Sequence, residues 1–271
     1  MHIQTIHQPG SARRVNEDSI LVKSPIFGVF DGASGLVSYV NDHGQTGALI
    51  ASALASSTFS AAGSYPLTTV AIKANHRIKT AMNLVEVDTT DKTALWATSA
   101  AVVRLEEHTF DWFQIGDSLI LVILKDASFR LLVTDYDHDL ETMKLWRRFA
   151  DQQIENIREI IEPFDLDVTR KRNIDYGVLD GEVAAEKFFN HGTESLYCVA
   201  HILIFTDGLF LPKKNPEEPD DWKTFVDLFL QGGLEKIQKY VREKEMDDPR
   251  CWKYPRFKQH DDMGAIALSF D

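Results

Sequence analysis

Cysteine is scarce in this sequence, since its 271 residues include only Cys198 and Cys251. Two cysteines cannot form a disulfide framework or supply a cysteine-rich structural zinc site. Cys198 directly precedes an apolar run, and we expect it to be a small core residue. So low a cysteine content is typical of a protein in a reducing compartment.

Long apolar runs are also missing. No segment approaches the roughly 18 consecutive apolar residues that a membrane-spanning helix needs. Residues 1–10 contain no apolar stretch of the kind found in signal peptides. We therefore expect a cytoplasmic protein with no membrane partner.

Basic residues are outnumbered, because 29 Lys and Arg stand against 41 Asp and Glu, giving a net charge of −12. Sequence-independent nucleic-acid binding depends on Lys and Arg contacts to phosphates, so we expect no nucleic-acid partner. An acidic chain suits a protein that gathers carboxylates around divalent cations, although most of these acids are expected on the solvated surface.

Apolar residues are plentiful, at 44% of the chain, which suits one large domain or two small ones with a sizeable core. Apolar runs predict strands at 19–22, 27–30, 98–105, 109–115, 119–124, 201–205 and 265–270. The third and fourth of these runs, 98–105 and 109–115, read as a hairpin. Since several runs are continuously apolar, we expect them to be covered on both faces, by a second sheet and by helices.

Apolar residues at helical spacing predict the remaining elements. The predicted helices lie near 42–59, over 67–85, over 140–161, and as a pair spanning 222–244 that is broken at Gly232-Gly233. This order of elements indicates an α+β fold with mostly antiparallel strands. The segment from about 165 to 193 is the least regular, and it is too long for an ordinary connection, so it is either functional or an insertion.

Acidic residues stand at the ends of five predicted strands. These are Glu17-Asp18, Asp31, Asp117, Asp207 and Asp261-Asp262. Grouped carboxylates repel one another unless cations compensate them, and Mg²⁺ and similar hard ions prefer oxygen ligands. Two such ions can activate water and hold a phosphoryl group. A single Asp-Gly after a strand is usually only a turn. It is therefore the ordered set of five acidic positions, and not any one of them, that indicates a metal site.

The ordered motifs resemble the metal-dependent Ser/Thr protein phosphatases of type 2C. The matching segments are 13–18 (Arg-Arg-Val-Asn-Glu-Asp), 27–32 (Phe-Gly-Val-Phe-Asp-Gly), 116–118 (Gly-Asp-Ser), 205–208 (Phe-Thr-Asp-Gly) and 261–263 (Asp-Asp-Met). The resemblance implies one domain over residues 1–271, and we expect this domain to be a monomer. It also implies a four-layer αββα sandwich, with two central antiparallel sheets flanked by helices.

The resemblance implies a set of ligands for two catalytic Mn²⁺ or Mg²⁺ ions. Asp31 would bridge both ions, and the Gly32 carbonyl would bind one of them. Asp207 and Asp261 would bind the other ion. Asp117, together with Asp207, resembles the site of a third, weaker ion.

Four further residues receive roles in the same way. Glu17 would hold a metal-bound water, and Asp18 would act through water or behind the ligands. Arg13 matches the arginine that binds the substrate phosphate, with Arg14 as its rival.

The sequence departs from the family pattern at three places, and one of them is the flap region, which would lie within 165–193. Ala33 stands where many eukaryotic members have a histidine that is proposed as a general acid, which indicates a bacterial-type enzyme with water as the proton donor. His43 is an alternative donor, although we expect it on a helix surface. The acidic segment 135–139 is expected to be a solvated helix N-terminus favoured by the helix dipole, with an extra metal site as the alternative.

The implied activity is hydrolysis of phosphoserine and phosphothreonine in phosphorylated proteins. A hydroxide that bridges the two ions would attack phosphorus, with Asp31 and Arg13 as the catalytic residues. One alternative is a pseudophosphatase that binds phosphoproteins without turnover. Another is a hydrolase of small phosphate esters, although the sequence has no Gly-rich nucleotide-binding loop.

Overall fold

The computed structural model describes residues 1–11, 15–33, 35, 39–134 and 137–270. The strands are β1 (His2–Gln8), β2 (Ser19–Lys23), β3 (Ile26–Phe30), β4 (Gly32–Ala33), β5 (Ala97–Thr98), β6 (Ala100–Leu105), β7 (Thr109–Ile115), β8 (Leu119–Leu124), β9 (Phe129–Leu131), β10 (Asn190–Ser195), β11 (Val199–Phe205) and β12 (Met263–Ser269). The helices are α1 (Gly47–Ser60), α2 (Leu67–Leu84), α3 (Leu140–Asp151), α4 (Ile157–Arg170) and α5 (Trp222–Met246).

Ten of these strands form two five-stranded sheets in which every described pairing is antiparallel. The first sheet has the order β1-β12-β11-β8-β9, and the second has the order β10-β7-β6-β3-β2. The short strands β4 and β5 form a separate ladder. The predicted hairpin is confirmed as β6 and β7.

The central strands are buried on both faces, which explains their continuous apolar sequences. Along β8, Leu121 and Ile123 pack toward the helical side, whereas Ile120 and Val122 pack between the two sheets. Side chains alternate between the faces of a strand, so a strand with two covered faces needs apolar residues at every position.

Helices cover the outer face of each sheet. Helices α1 and α2 pack on the second sheet through residues such as Phe59 and Ile78. Helix α5 packs on the first sheet through Phe225 and Ile237. The predicted four-layer αββα sandwich is therefore confirmed, as is the break in α5, where Gly232 and Gly233 have non-helical backbone angles.

The prediction of one helix over 140–161 is wrong. Helix α3 ends at Asp151 and α4 begins at Ile157, and Gln153 and Asn156 between them adopt positive φ. The two helices enclose their own apolar cluster, which includes Trp146 and Ile161. Helical spacing continues across this break because both helices turn their apolar faces to one cluster.

Other local expectations also need correction. The segment 165–193 is more regular than predicted, because α4 reaches Arg170, a 3₁₀ turn covers Val183–Phe188, and β10 begins at Asn190. Strands β1 and β10 were not predicted, since their polar sequences suit the sheet edges that they occupy. Cys198 is exposed with a φ of 64° and is not a core residue. His43 lies in an exposed turn and not on a helix.

Candidate metal centre

Three carboxylates from separate parts of the chain meet at one end of the sandwich. Asp31 follows β3 of the second sheet, and Asp207 follows β11 of the first sheet. Asp117 lies where the chain passes from β7 to β8, between the two sheets. One oxygen from each of these three residues lies within 4.8 Å of the others. We call Asp31, Asp117 and Asp207 the acidic cluster.

The glycines of the two Asp-Gly motifs allow this close approach. A Cβ atom at Gly208 would overlap the carbonyl oxygen of Asp262. A Cβ atom at Gly32 would lie 2.5 Å from the Glu17 carbonyl oxygen and 2.7 Å from that of Ala48. Any side chain at either position would push the flanking segments away from the acidic cluster.

Asp18 is locked behind the cluster and is only 2% exposed. Its Oδ2 accepts a hydrogen bond from Thr206 Oγ1 at 2.8 Å. Thr206 Oγ1 in turn accepts from the Gly264 N–H at 2.9 Å. Asp18 thereby ties the residue that precedes Asp207 to the last strand, a position consistent with a support behind the ligands.

Glu17 and Asp262 join the N-terminal segment to the rest of the site. Glu17 Oε1 accepts from Thr46 Oγ1 at 2.6 Å, at the N-terminus of α1. The Glu17 N–H donates to Asp262 Oδ2 at 2.7 Å, and the Gly10 N–H donates to Asp262 Oδ1 at 2.6 Å. Asp262 therefore holds the backbone at Gly10 and at Glu17 through its two carboxylate oxygens. Its position beside Asp261 did not predict this role.

Asp261 borders the acidic cluster but does not belong to the 4.8 Å group among the described residues. Its Oδ1 accepts from Lys258 Nζ at 2.7 Å and from the Asp262 N–H at 2.8 Å. It lines a cavity of about 270 Å³ together with Asp117 and Asp207. Met143, Phe210 and Trp222 also line this cavity, which gives a ligand access to the carboxylates.

The electrostatics of the site disfavour the charged states of Asp31 and Asp207. Burial raises the pKa of Asp31 well above its ordinary value, and the charges of Asp18, Asp207 and Asp117 raise it further. Burial raises the pKa of Asp207 to about 8, with the charges of Asp261 and Asp117 adding to the effect. Within the part of the chain that the structure describes, the three cluster carboxylates form no ion pair with a Lys, Arg or His. The site therefore favours the uptake of positive charge.

This donor set fits Mg²⁺ or Mn²⁺. All three side chains supply carboxylate oxygens, the ligands that these hard cations prefer. Ligands on opposite sides of a Mg²⁺ lie about 4 Å apart, since each Mg–O bond is about 2.0–2.1 Å, and the cluster is of that size. The excess negative charge and the oxygen donors point to the same kind of occupant.

Two residues at the site were missed in the sequence, namely Lys258 and Arg256. Burial lowers the pKa of the Lys258 ammonium, but the charge and hydrogen bond of Asp261 and the charges of Asp31 and Asp207 raise it above its ordinary value overall. Both residues lie in a loop with no periodic pattern. The spacing Lys258-x-x-Asp261 was the available signal, and it is weak alone.

Other predicted site residues have different outcomes. Arg13 and Arg14 lie outside the described residues, as do Asp135 and Tyr136. Ala33 forms part of the short β4–β5 ladder. Asp139 is the N-cap residue of α3, as expected, but it is only partly solvated, because its side chain is 33% exposed and burial raises its pKa to about 6. His138 stacks on Tyr176 with ring centroids 4.0 Å apart.

Comparison with known proteins shows the family. The family model described as Protein phosphatase 2C matches residues 13–247. The chain matches no curated protein. No helix in the described residues is both long enough and apolar enough to cross a membrane.

Solved bacterial phosphatases share the fold. The serine/threonine phosphatase Stp1 from Staphylococcus aureus is 15% identical, with a TM-score of 0.60 over 99% of this chain and 94% of that one. The Mycobacterium tuberculosis phosphatase PstP is 14% identical, with a TM-score of 0.59 over 100% and 98%. The catalytic domain of PstP in complex with two manganese ions is 15% identical, with a TM-score of 0.59 over 100% and 98%.

These identities show the fold alone, whereas the family model spans most of the chain. Phosphatases of that family use Mn²⁺ or Mg²⁺, in agreement with the oxygen donors of the acidic cluster. The chain belongs to the protein phosphatase 2C family.

Proposed function

We propose that this protein is a Mn²⁺- or Mg²⁺-dependent phosphatase that hydrolyses phosphoserine and phosphothreonine in proteins. The observation that carries the proposal is the acidic cluster, in which three carboxylates from both sheets converge within 4.8 Å. Membership of the protein phosphatase 2C family supports the reaction and the phosphoprotein substrate. Because the site draws on residues from Glu17 to Asp261, the proposal treats residues 1–271 as one catalytic domain.

The proposed ligands of two ions follow the positions of the carboxylates. Asp31 is the proposed ligand common to both ions, with the Gly32 carbonyl serving one and Asp207 and Asp261 serving the other. Asp117 is the proposed ligand, with Asp207, of a third and weaker ion. When bound, such ions lower the pKa of a coordinated water and neutralise charge on a phosphoryl group.

The protein's own groups position this chemistry. Asp18, through Thr206, fixes the strand end that carries Asp207. Glu17, held by Thr46, is the proposed partner of a water at the opposite side. Asp261 keeps Oδ2 available, because its two described hydrogen bonds are accepted by Oδ1. Arg13 remains the proposed guanidinium for the substrate phosphate, with Arg14 as its rival.

The first test is hydrolysis of p-nitrophenyl phosphate and of a phosphothreonine peptide by the purified protein. Reactions would contain Mn²⁺, Mg²⁺ or EDTA. The variant Asp207→Asn removes one charge from the acidic cluster, while Asp227→Asn removes one from an exposed site on α5. We expect turnover that requires metal, falls about 10³-fold in Asp207→Asn and is unchanged in Asp227→Asn. That loss corresponds to about 4 kcal/mol of transition-state stabilisation.

The outcomes separate the three candidate activities. Turnover of p-nitrophenyl phosphate and small esters without turnover of the peptide would favour a small-molecule phosphatase. Mn²⁺ binding in calorimetry without any turnover would favour a pseudophosphatase. Absence of Mn²⁺ binding would refute the proposed metal centre itself.

A further inference from the structure

Lys258 places a positive charge beside the carboxylates of the candidate site. It lies in the connection between α5 and β12, and its Nζ is 2.7 Å from Asp261 Oδ1. Its ammonium lies in the field of Asp31 and Asp207 as well. Lys258 lines two cavities, one next to Asp117 and Asp207 and a neighbouring one beside Glu17 and Thr46. Among the residues that the structure describes, it is the one lysine that lines both.

The loop that carries Lys258 is held by a partly buried arginine, Arg256. The Arg256 guanidinium donates to Asp248 Oδ2 at 2.9 Å and to the carbonyl oxygens of Tyr254 at 2.7 Å and Glu245 at 3.1 Å. Arg256 Nε also donates to the Gln259 carbonyl at 3.1 Å. These bonds fix the backbone on both sides of Lys258, and the hydrogen bond to Asp261 directs its ammonium toward the carboxylates.

The Lys258 ammonium has spare donors. It carries three N–H groups, and the acceptor found for it among the described residues is Asp261 Oδ1. Its side chain is 45% exposed, so the other two donors face the open cavities. An ammonium held at a fixed point with free donors suits an anionic oxygen, and a phosphoryl group at the acidic cluster would bring one there.

We propose that Lys258 is a phosphate-binding residue, whose ammonium donates to a non-bridging oxygen of the phosphoryl group at the candidate metal centre. This inference rests on the proposed function and adds to it a second basic residue, independent of Arg13. Asp261 orients the lysine, and the lysine supplies positive charge at the mouth of a strongly acidic site. A lysine suits this role as a compact point charge.

The test compares Lys258→Met, Lys258→Arg and the control Lys253→Met, since Lys253 is exposed in the same loop and stacks on Tyr254. Calorimetry would measure inorganic phosphate binding to each protein loaded with Mn²⁺, and Mn²⁺ binding alone. Where turnover is present, KM and kcat for p-nitrophenyl phosphate would be measured too. We expect Lys258→Met to weaken phosphate binding about 10- to 100-fold, the range for a charged hydrogen bond.

The remaining variants and measurements fix the interpretation. We expect Lys258→Arg to restore part of the phosphate affinity and Lys253→Met to match the wild type. Mn²⁺ affinity should change less than phosphate affinity does in all of them, because Asp261 Oδ2 stays available. Weaker Mn²⁺ binding with unchanged phosphate binding would overturn the proposal, since Lys258 would then only orient Asp261. Tighter Mn²⁺ binding with unchanged phosphate binding would also overturn it, since Lys258 would be an internal counter-ion.

Failure of the proposed function gives a different result. A wild-type protein without turnover fails as a phosphatase, yet phosphate binding to its Mn²⁺-loaded form still tests Lys258. A loss of phosphate affinity in Lys258→Met would then support the lysine's role in a binding protein. Absence of phosphate binding to the Mn²⁺-loaded wild type would overturn the Lys258 proposal.

Discussion

Two acidic regions of this protein lie close together but differ in how their carboxylates are compensated. One region has no ion pairs to basic side chains among the described residues, and the other has several. In the acidic cluster, Asp31, Asp117 and Asp207 face one another without an ion pair to a described base. In the connection after α5, Asp248 pairs with Arg256 at 2.9 Å, and Glu245 pairs with Arg242 and His260, each at 2.8 Å. We call this second group the Arg256 cluster.

The difference separates a structural region from a reactive one. A buried carboxylate is costly unless a cation or several donors compensate it. The Arg256 cluster contains its own compensation, so it can hold the loop rigid without help. The acidic cluster does not, so its closely spaced negative charges favour binding of cations from outside. Lys258 and Asp261 stand at the border between the two regions.

The largest effect is expected from removing the internal base of the Arg256 cluster. Arg256→Met would leave Asp248, which is 6% exposed, without its charged partner and take donors from several backbone carbonyls. We expect the free energy of unfolding to fall by about 3–5 kcal/mol. Urea denaturation followed by circular dichroism would measure this change.

The matched control is Arg250→Met in the same loop. Arg250 is exposed and stacks on Trp252 with 4.9 Å to the ring centroid, so its loss should cost about 0.5–1 kcal/mol. Equal losses in the two variants would show that the ion pairs of the Arg256 cluster do not stabilise the loop, and the contrast with the acidic cluster would fail.

Asp180 offers a pH-dependent version of the same comparison. This residue is fully buried, and burial raises its pKa to about 7. Its Oδ1 accepts from Asn173 at 2.8 Å and from the Glu182 N–H at 2.9 Å, while its Oδ2 has no hydrogen-bond partner in the described residues. Since the folded protein binds this proton more tightly than the unfolded chain, the carboxyl destabilises the fold increasingly as pH rises from about 4 to about 7.

Asp180→Asn stays neutral and keeps the oxygen that accepts the two bonds. We expect its advantage over the wild type in unfolding free energy to grow by about 1.4 kcal/mol per pH unit at most between pH 4 and 7, and to stay level above that. The exposed Asp175, paired with Lys171 at 3.6 Å, provides the control Asp175→Asn. A difference that is flat with pH would mean that Asp180 is ionised in the folded protein and compensated by Arg172.

A smaller gain is expected at the acidic cluster. Two like charges about 5 Å apart repel by roughly 3 kcal/mol at an effective dielectric constant of about 20, and partial protonation reduces this. In EDTA at pH 8, Asp31→Asn should therefore raise the free energy of unfolding by about 1–3 kcal/mol. Removing one charge is thus expected to raise the free energy of unfolding in Asp31→Asn and to lower it in Arg256→Met.

Metal addition completes that experiment. Mn²⁺ at 100 times its dissociation constant should stabilise the wild type by about 2.7 kcal/mol and the Asp31→Asn variant much less. Thermal or urea unfolding with and without Mn²⁺ would show both effects. A variant that is less stable than the wild type in EDTA would contradict the repulsion on which the comparison depends.

The sequence predicted the acidic cluster well because its signals are local. Asp31 and Asp207 each follow a continuously apolar strand and precede a glycine that a close approach requires. Strand ends of a sandwich meet at its edges, so acids at those ends are brought together once the layers are known. The two sheets and α5 were also predictable from local signals, since buried faces require apolar residues at regular spacing along the sequence.

The Arg256 cluster was not predictable from such patterns. Its arginine bonds to backbone carbonyls of neighbouring turns, and those contacts depend on a loop path that no periodicity encodes. The break between α3 and α4 was missed similarly, because Gln153 and Asn156 adopt positive φ without a glycine or proline to signal it. Lys258 was overlooked because its importance comes from Asp261 and the two cavities, which only the folded chain brings together.

The smallest effect is expected where charge is neither buried nor shared. Asp227 on α5 pairs with Lys223 one helical turn away at 2.6 Å, and both side chains are largely exposed. Because water already solvates both charges, Asp227→Asn should lower the free energy of unfolding by no more than about 0.5 kcal/mol, with or without Mn²⁺. Urea denaturation in low and high salt would check this, since high salt should abolish even that difference. A larger effect would mean that net charge, and not the placement of charge, governs stability in this acidic chain, and the opposite signs expected for Arg256→Met and Asp31→Asn would then need a different cause.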